Sequence, residues 1–253
     1  MSSGPTHVPA AAVIPDTAST RQYIGARSVL SVLQYFVAET AVIGAWAGPQ
    51  PYSRRTGYIS DLGAVNCGIY DGRDVCSPLH WLMNASFVVQ GLGMLIGALL
   101  LGSGLLCVAA RPGARVAPGR RKPWLAAIWV RILAGTAGAG TIVVGLVPQD
   151  AGSALHFIGA VVYFLAGGAA LVVLGSLWLR QTPLAWFILV CGLVSLAALV
   201  TGGLTGMDVP EPGTLERIMG YPVTVGVAAG GLVIAQRVHR HRAELRMRAS
   251  SAP

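Results

Sequence analysis

Apolar residues run for about the width of a bilayer at six places along the chain: 27–47, 79–101, 124–147, 153–178, 183–205 and 218–236. Each run is bounded by Pro, Gly or a charge. Backbone groups in lipid have to be satisfied within their own segment, so such runs predict helices. The pattern predicts an all-α integral membrane bundle of six transmembrane helices, forming one domain over residues 27–237, with a large outer loop at 48–78. Residues 1–26 lack a basic start and carry three prolines. They predict a disordered cytoplasmic tail and no secretory signal. Residues 238–253 predict a basic cytoplasmic tail.

Composition strengthens this picture. The 253 residues are 54% hydrophobic and only 11% charged, against about a quarter charged in a soluble domain. Mean hydropathy is +0.63. Gly93-x-x-x-Gly97 and Gly226-x-x-x-Gly230 mark places where helix backbones can approach closely.

Charge then gives an orientation. With the N-terminus inside, the inner side holds thirteen Lys and Arg residues and the outer side four, namely Arg54, Arg55, Arg73 and Arg217. The positive-inside bias puts both termini in the cytoplasm of a multi-pass plasma-membrane protein. The net charge of +8 does not point to nucleic acid, because the basic tail R-V-H-R-H-R-A-E-L-R-M-R abuts a span. It reads as a topology determinant that also meets anionic lipid. The sequence carries no signal for an oligomeric state.

Polar chemistry gathers on the opposite side. Cys67 and Cys76 lie in the outer loop, on the oxidising side, and predict a disulfide. Cys107 and Cys191 read as apolar fillers. Seven of the ten acidic residues are outside. His80 and His156 sit there too, each near the outer end of its helix. The candidate site opens to the outer leaflet. Its catalytic candidates are Asp61, His80, His156, Glu39 and Glu216; its substrate-binding candidates are Tyr58, Ser60, Asn84, Gln90, Asp150 and Arg217. His80, His156 and Asp61 could hold a divalent metal that activates water, or the same groups could do acid–base chemistry without one. The plainer alternative is capping of helix ends at the interface. Glu39, Gln90 and Arg131 lie deeper. A Glu39–Arg131 pair is conceivable, although their depths differ by about 8 Å at the helical rise.

Three stretches carry a family resemblance: Y58-I-S-D-L-G63 followed by S77-P-L-H-W-L-M-N84-x5-Q-G91, then G145-L-V-P-Q-D150-x5-H156-x2-G-A160, then Glu216-Arg217 with Tyr221-Pro222. Together they resemble the domain of unknown function 998 family of bacterial and archaeal polytopic membrane proteins, over roughly residues 25–237. The resemblance implies a six-helix integral membrane protein and no established reaction. The Cys67–Cys76 segment lies between two family-like stretches.

The reading that follows is an enzyme acting on a membrane lipid or isoprenoid at the outer face, either a metal-assisted hydrolase or an acid-initiated isomerase or cyclase. No Asp-rich diphosphate motif, Gly-x-Ser-x-Gly elbow, His-Glu-x-x-His or Gly-rich phosphate loop is present. The alternatives are a haem-binding redox protein with His80 and His156 as axial ligands, and a non-catalytic lipid-binding or transport component.

Overall fold

The computed structural model describes residues 19–110 and 121–250. The first span is built from α1 (Thr20–Leu30), a tight turn at Ser31–Leu33, and α2 (Gln34–Gly44). It begins seven residues before the expected position 27. Ser19 caps it, its hydroxyl accepting the Gln22 amide. Arg21 donates to the Leu99 carbonyl at 2.8 Å, and Gln22 accepts the Gly102 amide at 3.0 Å. These polar side chains satisfy backbone groups at the end of a neighbouring helix. The expected disordered tail over 1–26 is therefore corrected for residues 20–26, which are helical; residues 1–18 lie outside the described residues.

The outer loop carries β1 (Gly68–Tyr70) and β2 (Arg73–Val75), paired antiparallel. Then follow α3 (His80–Leu100), the short α4 (Ser103–Val108), α5 (Arg121–Leu146), α6 (Ala154–Trp178), α7 (Leu184–Thr205) and α8 (Pro212–Ser250). Six helices are long and apolar enough to cross a membrane, α1 and α2 counting as one. Helix α8 differs most from expectation. It starts at Pro212, a residue suited to a first helical turn, and continues through the basic segment to Ser250. The segment read as a tail is thus a helical extension. Arg111, Arg115 and Arg120, which contribute to the charge bias, lie outside the described residues.

The spans form a closed ring in chain order. Helices α1 and α2 pack on α3, α3 on α5, α5 on α6, α6 on α7 and α7 on α8, which returns to α1; α6 also touches α8. Small residues set the spacing. A Cβ on Gly138 would stand 2.7 Å from the Gly91 carbonyl oxygen, and one on Gly192 would stand 2.7 Å from that of Gly168. Gly93 and Gly97, expected at a close helix approach, lie against α1, and Gly226 and Gly230 lie against α6. The start of α1 and the end of α8 belong to one face of the ring. On that terminal face the Arg242 guanidinium from α8 stacks over the Tyr23 ring of α1, 4.8 Å from its centroid. The opposite face carries the long loop between α2 and α3.

Candidate functional site

The loop face is built around a hairpin. Its two-residue turn, Asp71-Gly72, has φ of 49° and 73°, the left-handed pair that a tight hairpin requires. Cys67 and Cys76 form the expected disulfide across its base, while Cys107 and Cys191 are free and buried. The hairpin presents Arg73 to Asp61, Nε at 3.1 Å and Nη2 at 3.0 Å from the two carboxylate oxygens. Asp61 is only 2% exposed. It also accepts the Gln149 amide at 2.5 Å and the Tyr58 backbone N–H at 3.1 Å. Tyr58 lies under the Arg73 guanidinium, 4.3 Å from ring to cation, and its partial burial raises its phenol pKa.

Other motif residues fasten the same loop. Ser77 donates to the Leu62 carbonyl at 2.7 Å, and Asn84 donates to Gly63 at 2.9 Å. Asp150 accepts the backbone amides of Val65 and Asn66 and the Asn66 side chain. Burial alone would raise the Asp150 pKa, but these donors outweigh it and hold the carboxyl below its usual range.

A second knot lies where the loop meets α8. Arg217 Nε and Nη2 both reach Glu39 Oε1, at 3.1 and 3.0 Å. Tyr221 donates to the other Glu39 oxygen at 2.5 Å. Arg217 Nη1 donates to the carbonyls of Arg54, Gly57 and Gly213, and Nη2 to the Tyr52 hydroxyl. Glu39 and Arg217 are buried, so each depends on the other to offset lost hydration. The partner of Glu39 is thus Arg217, not Arg131. Arg131 donates to the Ala98 carbonyl and the Ser103 hydroxyl instead.

Beneath these two knots is a cavity of about 40 Å³. The Ile59–Ser60 turn roofs it, and α2, α3, α5, α6 and α8 wall it. Glu216 lines it, one carboxyl oxygen accepting the Ile59 amide. His156 lines it too. Its Nδ1 lies 2.7 Å from the Val147 carbonyl, which can only accept, so the neutral ring keeps its Nε2 lone pair free. At the floor, Gln90 Nε2 donates to Tyr163 at 2.7 Å and to Thr224 at 3.1 Å. Gln90 Oε1 and the Tyr35 hydroxyl are buried without a hydrogen-bond partner. Such groups are costly to leave unmade. In a native cavity they mark where a ligand or water supplies the missing bond.

The structure thus brings Glu216, His156, Gln90 and Ser60 to one cavity. Asp61, Tyr58, Asn84 and Asp150 bind the loop, and Glu39 pairs with Arg217. His80 stands apart at the start of α3, its Nδ1 buried without a partner. Among the described residues no three His, Cys, Asp or Glu side chains gather as metal ligands, so His80, His156 and Asp61 do not form one set. The cavity is lined by His156 and not by His80, so the two histidines do not face each other across it. Sequence reasoning missed Tyr35, Thr141, Tyr163 and Thr224, which read as ordinary span residues. A hydroxyl at the depth of Gln90 was the one signal that could have found Tyr163 and Thr224.

A second cavity, of about 60 Å³, lies toward the terminal face and is walled by residues such as Val29, Leu101, Leu174 and Ile234. Compared with known proteins, residues 29–233 match the profile of a family described as "Protein of unknown function (DUF998)". No curated protein and no solved structure matches the chain.

Proposed function

The chain belongs to the family described as Protein of unknown function (DUF998), and on that premise we propose that it is a membrane-embedded acid–base enzyme acting on a lipid or isoprenoid. The observation that carries this reading is one cavity lined by two proton-exchanging side chains, Glu216 and His156, together with two unpartnered buried polar atoms. A cavity of about 40 Å³ admits only the reacting end of such a substrate, whose tail stays in the lipid; His156 Nε2 accepts a proton from that end, and the Glu216 carboxyl supplies one elsewhere on it. Gln90 and Tyr35 orient the polar end. A pair of groups able to exchange protons at fixed positions supports isomerisation or cyclisation better than metal-assisted hydrolysis, because the metal ligands are not gathered. We place the loop face outside, since the charge bias favours cytoplasmic termini and the disulfide favours an oxidising compartment.

The test is direct. The purified protein in nanodiscs is incubated with a total polar lipid extract, and the lipids are followed by mass spectrometry. Wild type should convert at least one lipid species. Glu216→Gln and His156→Gln should each lower conversion by about 100-fold, within the range for a lost general acid or base, while melting like wild type. Equal conversion in all three would refute the assignment of these residues. Stoichiometric lipid retention without conversion would favour a non-catalytic lipid-binding component.

A further inference from the structure

A separate feature lies on the outside of the ring, between α7 and α8. It is an open groove of about 290 Å³. At the loop face it is lined by Arg54 and Arg55; deeper, its walls are Val194, Ile218 and Pro222. Val194 lies eleven residues before the end of α7, which is about 16 Å at the helical rise. Pro222 lies ten residues into α8, or about 15 Å. Both lie more than two turns from the loop-face ends of their helices. The groove is basic at the loop face and apolar farther along the helices.

Its charge is specific. Of the three arginines lining it, Arg55 pairs with Glu211 and Arg217 with Glu39. Arg54 is exposed and has no ion-pair partner among the described residues. One positive charge is left over, at the loop-face end of an apolar channel. A phosphodiester carries one negative charge, and guanidinium groups bind phosphate oxygens well.

We infer that this groove binds a membrane phospholipid, with the phosphodiester on Arg54 and one acyl chain along Val194, Ile218 and Pro222. The inference does not depend on the cavity chemistry, since the groove holds neither Glu216 nor His156. It also differs from a role for the basic α8 extension, which lies at the other face.

Native mass spectrometry of the detergent-purified protein tests it. The probes are phosphatidylglycerol, diacylglycerol and inorganic phosphate. Phosphatidylglycerol should give a one-to-one adduct. Arg54→Gln, a change at an exposed position, should reduce the adduct at least fivefold. Val194→Trp, which fills the apolar end, should reduce it comparably by a different route. Diacylglycerol should bind at least fivefold more weakly, and millimolar inorganic phosphate should not displace the lipid. An adduct unchanged in both variants, or diacylglycerol bound as well as phosphatidylglycerol, would overturn the assignment. Displacement by inorganic phosphate would show an anion site without a lipid channel, which also overturns it.

Discussion

The loop-side knots and the cavity beneath them are built from the same kinds of residue with opposite accounting. In the knots every charged group is spoken for. Glu39 takes bonds from Arg217 and Tyr221, and Asp61 takes them from Arg73, Gln149 and Tyr58. In the cavity beneath them, Gln90 Oε1 and the Tyr35 hydroxyl have no partner. The contrast separates two uses of buried polarity. Where partners are complete, the residue holds the loop on the bundle. Where they are incomplete beside an open cavity, as at Gln90 and Tyr35, a ligand or water supplies the missing bond. The motif residues of the loop therefore read mainly as architecture, and Glu216 is the point where architecture and chemistry touch, because the Ile59 amide that roofs the cavity also holds its carboxylate.

The largest effect should come from the deeper knot. Arg217→Met leaves Glu39 buried without its cation, and breaking a buried pair costs about 3–5 kcal/mol. Thermal melting in detergent should show a large loss; a change under about 1 kcal/mol would place Glu39 among the unpaired groups instead. Asp61→Asn should come next. It weakens charge-assisted bonds to Arg73 and Gln149, worth about 1.5–3 kcal/mol each when a charge is involved, and should expose the 58–63 segment to hydrogen exchange. Unchanged protection there would break the assignment of Asp61 to structure.

The cavity should respond in the opposite sense. Tyr35→Phe removes a hydroxyl that has no partner, so its effect on stability should be neutral or stabilising by up to about 1 kcal/mol. A clear loss would mean that the hydroxyl is structurally bonded and would dissolve the distinction.

The smallest effect concerns Asp150. Its carboxyl is held below its usual range by loop amides. A group whose folded pKa is depressed stabilises above its unfolded pKa, about 3.9, and that contribution is lost as pH falls through the folded value. Loop protection over residues 65–66 should thus fall below about pH 4, and Asp150→Asn should abolish that step. A loss centred near neutral pH would point to a histidine instead.

Much of this was legible in the chain. The six spans followed from runs of apolar residues, and the disulfide from two cysteines in one loop. The start of α1 was not legible, because Arg21 and Gln22 look like solvent-facing residues until the carbonyl of Leu99 and the amide of Gly102 are seen beside them. The start of α8 was hidden for a related reason. Glu216 and Arg217 read as loop charges, yet their partners, Ile59 and Glu39, lie more than 150 residues away. Local hydropathy carries no information about such pairings. The same limit hid Arg217 as the partner of Glu39. In the site, Glu216, His156, Gln90 and Ser60 were named from sequence, but which of the named polar residues were already satisfied required coordinates.

The most direct measurement is lipid conversion by Tyr35→Phe in nanodiscs, made alongside its melting temperature. If the cavity is the functional site, conversion should fall at least tenfold while the protein melts at or above the wild-type temperature. Full conversion with unchanged melting would contradict the account, because the unpartnered hydroxyl would then serve neither the fold nor the chemistry.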